Sequence, residues 1–362
     1  MKIALAQEFL VKRGGAERVL KSLSDLFPEA PIFTLFYDEK AVGTVFPKGK
    51  IRGLPLQQMY DRLGKKQKFL LPFMATAIEK LDFHEYDLVI SSNTALMHGI
   101  VTDLQTRHIC YCHSPARYLW DYYHQYKKEQ RWTGVQDTFV TRLLHTLRMW
   151  DKTAASRVDT WVANSRNVQK RILKYYRKPS YLIYPPVDVH RFQVGKTHEN
   201  YFLIVSTLTS YKRIDLAIQL FNRLGRKLVI IGEGGQREYL EHIAENNIEF
   251  LGYQSDQMVA EYMKHARAFL FLGEDDFGIA PVEAMACGKP VIAYGKGGAL
   301  ETVIPHVTGE LFSDQSVDSL EKAMVQFFLH EKIYSPLAIR KHALQFDQKV
   351  FQEQIKKLVM RG

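Results

Sequence analysis

Cysteine is scarce in this sequence: Cys110, Cys112 and Cys287 are the whole set in 362 residues. An odd, sparse count cannot form the disulfide framework of a small secreted fold and fits a reducing compartment. A cytoplasmic location is expected. Cys110, Cys112 and His113 lie close together, but residues two apart on a strand share one face, and no second ligand pair follows at zinc-like spacing. A plain buried strand is expected there, with no metal. Long apolar runs are also missing. No stretch approaches the ~20 apolar residues of a spanning helix. The N-terminal run is short and meets a charge at Glu8, unlike a secretory leader. The chain is therefore expected neither to cross a membrane nor to leave by that route. Low-complexity tracts and short tandem repeats are absent as well.

Acidic residues are in deficit. Lys and Arg number 49 against 39 Asp and Glu, a formal charge of +10. Such a balance suits an anionic partner: nucleic acid, an acidic membrane surface, or a phosphorylated ligand. No groove-reading motif is present, so nucleic acid is not the expected partner. With 46% hydrophobic and 24% charged residues, the composition is that of a globular protein. Its length suits two domains.

Short apolar, β-branched runs alternate with longer amphipathic segments, the pattern of βαβ units and a parallel sheet. Strands are predicted at Lys2–Ala6, Pro31–Phe36, Asp87–Ser92, Arg107–His113, Thr160–Asn164 and Tyr181–Tyr184, with a long helix over Thr138–Ser156. The pattern restarts with strands at Tyr201–Ser206, Lys227–Gly232, Ile248–Gly252, Ala268–Gly273 and Pro290–Tyr294. Gly225 reads as a helix stop. Pro185 and Pro186, followed by the polar stretch Gly195–Asn200, make a linker. The fold class is α/β: two Rossmann-like, doubly wound domains with a cleft between them, facing the carboxyl ends of the strands. The expected divisions are 1–190, 191–345, and a C-terminal helix over 346–362 that returns to the first domain.

The strongest local signal runs from Gly273 through Glu274, Asp275, Asp276, Phe277, Gly278, Ile279 and Ala280 to Pro281, Glu283 and the Gly288-Lys289-Pro290 turn. A strand ends, an acidic glycine-containing loop follows, and a helix begins with Pro281 suited to its first turn. Free amides at such a start bind anions and sugar hydroxyls. Asp275 and Glu283 are eight positions apart, so loop and helix can present two carboxylates to one ligand, and a carboxylate is a natural acceptor for a ribose diol. Taken alone, these are also a loop carboxylate and a solvated helix residue. His113 alone is as readily a satisfied strand-end histidine, and Lys212 an ordinary lysine at a helix start.

The segment resembles the donor-binding signature of retaining glycosyltransferases of family four, with the GT-B fold. Gly14-Gly15-Ala16-Glu17, Tyr111 to Pro115, Asn164-Ser165-Arg166, Tyr184 to Asp188, Tyr211 to Asp215 and Gly297 to Glu301 match further landmarks of that family in order. The resemblance implies roles. Glu283 would hold the donor ribose, Lys212 would neutralise the diphosphate, and His113 would lie beside the donor sugar. Gly14 and Gly15 would let backbone approach the phosphate. Phe277, Gly278, Ile279 and Ala280 would supply backbone contacts. Two positions depart from the family pattern: Asp275 replaces its first Glu, and Thr207 stands where an Arg is usual, with Arg213 a candidate substitute. His113, Lys212 and Asp275 are the expected catalytic set.

No Asp-x-Asp pair occurs, so the expected reaction needs neither metal nor cofactor, and turnover should survive a chelator. The wording around Tyr111–Tyr126 and Tyr184–Asp188 is similar to bacterial mannosyltransferases of surface polysaccharide synthesis. The expected donor is GDP-mannose, with a UDP-sugar as the alternative. The expected acceptor is a saccharide on a polyprenyl carrier. Arg62 to Met74 joins basic to apolar residues, as a segment lying on an anionic bilayer does, or as a basic turn before a core helix. The aromatic stretch Tyr118–Tyr126 is expected to be core or interface. Three other classes share these features: a nucleotide-sugar epimerase, a non-catalytic sugar-nucleotide-binding subunit, and a nucleic-acid binder.

Overall fold

The computed structural model describes residues 1–195 and 198–361. Lys196 and Thr197, inside the expected linker, and Gly362, at the end of the expected C-terminal helix, lie outside the described residues. The chain divides into two compact units, Met1–Tyr184 and Pro185–Gly362. The division thus falls at the two prolines. Residues 185–191 follow the second unit because they are bonded into it: Val187 N–H donates to the Phe346 carbonyl, and Gln348 N–H donates back to Val187. The helix Gln348–Met360 that follows is counted in the same unit.

The first unit contains β1 (Ile3–Gln7), β2 (Phe9–Leu10), β3 (Ile32–Thr34), β4 (Phe36–Tyr37), β5 (Ile51–Gly53), β6 (Leu88–Asn93), β7 (Arg107–Cys112), β8 (Thr160–Ala163) and β9 (Tyr181–Leu182). Seven of these form one sheet in the order β5-β3-β1-β6-β7-β8-β9, while β2 and β4 pair separately. Every pairing is parallel. The chain runs from β1 towards one edge and restarts on the other side at β6. The crevice of a doubly wound sheet opens at that reversal, beyond the carboxyl ends. Gln7 pairs with Ser92 there.

The second unit repeats the plan with β10 (Tyr201–Val205), β11 (Lys227–Ile231), β12 (Ile248–Gly252), β13 (Ala268–Phe271), β14 (Val291–Tyr294) and β15 (Gly309–Phe312). Their order is β12-β11-β10-β13-β14-β15, all parallel. Its reversal lies between β10 and β13. The segments leaving those two strands, from Ser206 and from Leu272, carry the candidate donor residues. The helix Ile214–Leu224 turns its apolar stripe inward, with Phe221 edge-on to Phe202 at 5.1 Å, and stops at Gly225 in the left-handed region.

Strands β5 and β15 were not expected. Both are edge strands carrying a charge, Arg52 exposed on β5 and Glu310 buried on β15, so neither shows the unbroken apolar run of a central parallel strand. The long helix spans Gly134–Ala154. Cys110 and Cys112 are buried on one face of β7 among Trp161, Val168 and Ile172. Leu119 is buried, and Tyr118, Trp120, Tyr123 and Tyr126 pack against the first unit's core. Among the described residues no helix is long and apolar enough to cross a membrane.

Candidate functional site

In the second unit, β10 leads into a short turn, Ser210–Lys212, immediately before the helix Ile214–Leu224. A bare cation at a helix start opposes the dipole. Here Lys212 Nζ forms a short ion pair with Asp275 Oδ2. It also lies over the rings of Tyr211 and Phe271, 5.3 and 5.7 Å from their centres. The Asp275 loop is set by close backbone approaches. A side chain at Gly297, where φ is +61°, would collide with the Asp275 carbonyl, and Gly298 N–H donates to that carbonyl at 2.8 Å. Gly278, at φ +86°, opens the helix Ile279–Ala286, which no side chain caps among the described residues. Lys212 and the loop 274–280 therefore meet, and the helix start beside them offers its first amides to an anion.

Glu283 is on this helix and is buried. Its Oε1 accepts from Arg191 Nη2 at 2.9 Å, and Arg191 Nη1 also meets Asp256 at 3.0 Å. Arg213 is the left-handed residue before Ile214, and its guanidinium folds back in two bonds onto Asp215 at 3.1 Å each. The structure does not bring it to the Lys212–Asp275 pair. Thr207 is exposed beyond β10. Phe277 is buried, edge-on to Phe346 at 5.4 Å. The loop Gly232–Gly235 packs on Ser206 and Leu208.

In the first unit, His113 follows β7. Its Nε2 lies 2.9 Å from Ser92 Oγ, Ser92 Oγ–H donates to Gln7 Oε1 at 2.9 Å, and Gln7 Nε2 donates to Glu17 Oε1 at 3.1 Å. Because the Ser92 proton goes to Gln7, Nε2 of His113 carries its own proton and Nδ1 is left as an acceptor. Burial pushes the His113 imidazole down to about 4, so it is neutral near pH 7. Burial also raises the Glu17 carboxyl. Gly14 caps the helix Gly15–Leu26, and a side chain there would stand 2.9 Å from the Glu17 carboxylate. His113 and the glycine turn are thus joined by hydrogen bonds across the switch point of the first sheet.

Two family models cover most of this chain: "Glycosyltransferase Family 4" matches residues 13–191, and "Glycosyl transferases group 1" matches residues 187–343. The chain belongs to glycosyltransferase family four. The family-four chain is 26% identical over 360 residues to the alpha-1,3/1,6-mannosyltransferase alg2 of Schizosaccharomyces pombe, covering 82% of this chain and 68% of that protein. It is 30% identical over 173 residues to a GDP-mannose-dependent phosphatidylinositol monomannoside mannosyltransferase of Mycolicibacterium smegmatis, covering 39% and 44%. The chain spans about half the length, or less, of most curated relatives it matches. Among solved structures, Anabaena HepE in complex with UDP aligns over 100% of both chains with a TM-score of 0.71 at 17% identity. That likeness establishes the GT-B fold.

Arg191, Gln7 and Ser92 carried no local signal in the sequence of this family-four chain. Arg191 is 92 positions from Glu283, and no local spacing links them. Gln7 ends β1 and Ser92 is the last residue but one of β6, and their meeting follows only from strand order.

Proposed function

We propose that this chain transfers a hexose, mannose from GDP-mannose, to a saccharide acceptor with retention of configuration. The observation that carries this reading is the meeting of Lys212 with Asp275 beside the uncapped start of the helix Ile279–Ala286. As the bond from sugar C1 to the diphosphate breaks, negative charge builds on the leaving oxygen. A lysine and helix-end amides fixed beforehand stabilise that charge without reorganising. The acceptor oxygen bonds to C1 on the same face, and its proton passes to the departing phosphate. Asp275 aims Lys212 and accepts from a sugar hydroxyl. Glu283, held by Arg191, accepts from the ribose. His113 offers Nδ1 to the donor sugar.

No metal is needed in this reading, because Lys212 supplies the positive charge and its pairing makes Asp275 a poor cation ligand. The donor assignment is supported by the mannosyltransferase relatives, one of them GDP-mannose-dependent. A UDP-sugar is the second reading, favoured by the UDP bound in the HepE structure. We further propose a polyprenyl-linked acceptor met at an anionic inner membrane face. Leu63, Phe69 and Phe73 are exposed beside Lys65, Lys66 and Lys68, and replacing those lysines by Glu should abolish co-sedimentation with anionic liposomes.

The deciding experiment is thermal unfolding with GDP, UDP, ADP and their sugars. GDP and GDP-mannose should raise the midpoint in the parent and not in Lys212→Ala. A rise with UDP compounds alone would replace the donor. No rise with any nucleotide would overturn the site. A donor-only incubation yielding an epimer would replace transfer by epimerisation.

A further inference from the structure

At the opposite end of the second sheet from the Lys212–Asp275 pair, three ligand-type atoms converge. Glu310 is the second residue of β15 and is buried, its side chain 5% exposed. His306 lies in the turn before that strand, and His330 ends the helix Val317–His330. His306 Nδ1 is 3.0 Å from Glu310 Oε1, His330 Nδ1 is 3.1 Å from the same oxygen, and the two Nδ1 atoms are 3.1 Å apart. Tyr334 Oη–H donates to that oxygen as well.

Hydrogen bonds alone leave this triangle unsatisfied. If both imidazoles donate from Nδ1 to Glu310, their N–H groups crowd one another. If one imidazole accepts from the other, it gives up its bond to the carboxylate. A cation at the centre takes a lone pair from each of the three atoms. Ligands about 2.0–2.1 Å from zinc at tetrahedral angles are roughly 3.3 Å apart. The observed edges of 3.0–3.1 Å need to open by only a few tenths of an ångström.

Two imidazoles with one carboxylate suit zinc and the neighbouring late divalent metals, whereas calcium and magnesium prefer oxygen alone. The surroundings are those of a metal site too. Tyr334 holds the ligating oxygen in the way outer partners fix a ligand. Its ring stacks on Phe327 of the same helix at 5.8 Å. His306 sits in the left-handed region at φ +61°, its N–H bonded to Gly309 O at 2.9 Å, which turns the ring onto Glu310. Its side chain is 55% exposed, so a fourth position opens to water.

We propose that His306, Glu310 and His330 bind one zinc-class divalent cation, which clips edge strand β15 and its preceding turn to the end of the helix Val317–His330. The site is structural. It lies at the amino end of β15, and the candidate donor residues follow the carboxyl ends of β10 and β13.

The test uses the full chain without a histidine tag, stripped with a chelator and titrated with Zn²⁺ by calorimetry, with Co²⁺ as the spectroscopic probe. One equivalent should bind at micromolar affinity or tighter. Co²⁺ should give the visible absorption of a four-coordinate site, and Zn²⁺ should raise the unfolding midpoint. His306→Ala removes only an exposed side chain, so it should fold as the parent does and lose affinity on the order of a hundredfold or more, beyond the 10–100-fold of an outer partner. His330→Ala should do the same, and His84→Ala, far from the cluster in sequence and in the other unit, should bind as the parent does. Failure of the stripped parent to take up Zn²⁺ would overturn the proposal. So would His306→Ala and His330→Ala binding as tightly as the parent.

Discussion

Glu8 is expected to be among the most costly single residues to remove from the first unit. It follows β1, is 1% exposed, and spends its carboxylate on the turn after β6. Oε1 accepts from the amides of Ala95, Leu96 and Met97 at 2.8, 2.8 and 2.9 Å. Thr94 N–H reaches both oxygens at 3.1 and 3.2 Å, and its hydroxyl donates to Oε2 at 2.8 Å. Glu8→Ala strands four amide donors. At about 1–3 kcal/mol for each buried donor, with water entering the space to satisfy some, the expected loss is roughly 3–5 kcal/mol. Glu8→Gln keeps an acceptor for most of the amides but removes the charge, so about 1–3 kcal/mol is expected. The turn directly follows Asn93, whose carbonyl accepts from His113 N–H at 2.9 Å, so transfer should fall along with stability. Two units need not unfold together, so the assay is urea-dependent hydrogen exchange read on the peptide containing residues 94–99. Glu8→Ala unfolding within about 1 kcal/mol of the parent, with unchanged exchange at residues 95–97, would refute the reasoning.

Lys212→Ala should lower kcat by roughly 10²–10³, the effect of removing one preorganised charge donor, while circular dichroism and the unfolding midpoint stay near those of the parent. Steady-state transfer assays check this. Arg191→Ala should weaken donor binding and destabilise the second unit by about 1–3 kcal/mol, since it removes the guanidinium that bonds the buried Glu283 carboxylate; calorimetric titration with the nucleotide and denaturant unfolding report the two effects. Burial lowers the imidazoles of His98 and His113 to about 4 and of His108 to about 3, and it raises the Asp151 carboxyl to about 7, so that the proton Asp151 holds in the fold offsets one of theirs. The three folded imidazole values lie below the unfolded value of about 6.5. The unfolded chain therefore binds more protons below that pH, and stability present above it is lost as pH falls towards 4. One to two protons give a slope of about 1.4–2.7 kcal/mol per pH unit for the first unit, measurable as urea midpoints across pH 4–7. A flat profile there would show that these rings protonate freely in the fold.

What was legible in the sequence follows from where each signal is local. The central strands carry unbroken apolar runs because both faces of a parallel sheet are covered, and β6, β7, β10, β11, β13 and β14 were found within a residue or two of their ends. The loop around Asp275 and the start of the helix at Ile279 were legible for a related reason: strand end, glycine turn and helix start are contiguous in the chain. The edge strands β5 and β15 lose that signal. β15 has Glu310 among four residues, and its charge is explained by the two histidines and the tyrosine that converge on it. Contacts across many residues left no trace in spacing, as between Arg191 and Glu283 or between Glu8 and Thr94.

The Lys212–Asp275 pair shows how an aspartate, one methylene shorter than glutamate, reaches the lysine at this position. The shorter Asp side chain reaches Lys212 because the backbones are drawn together: a side chain at Gly273 would meet Lys212 backbone at 3.0 Å, and Gly297 and Gly298 press on the far side of the loop. Loop position brings this short carboxylate to the lysine. Asp275→Glu is therefore not a repair. The longer side chain must either push Lys212 off the Tyr211 and Phe271 rings or displace the Gly298 contact, and overpacking of that kind costs about 1–3 kcal/mol. Transfer by Asp275→Glu at or above the parent rate would show that the loop has slack, and that the carboxylate's reach, not its backing, sets the position of the lysine.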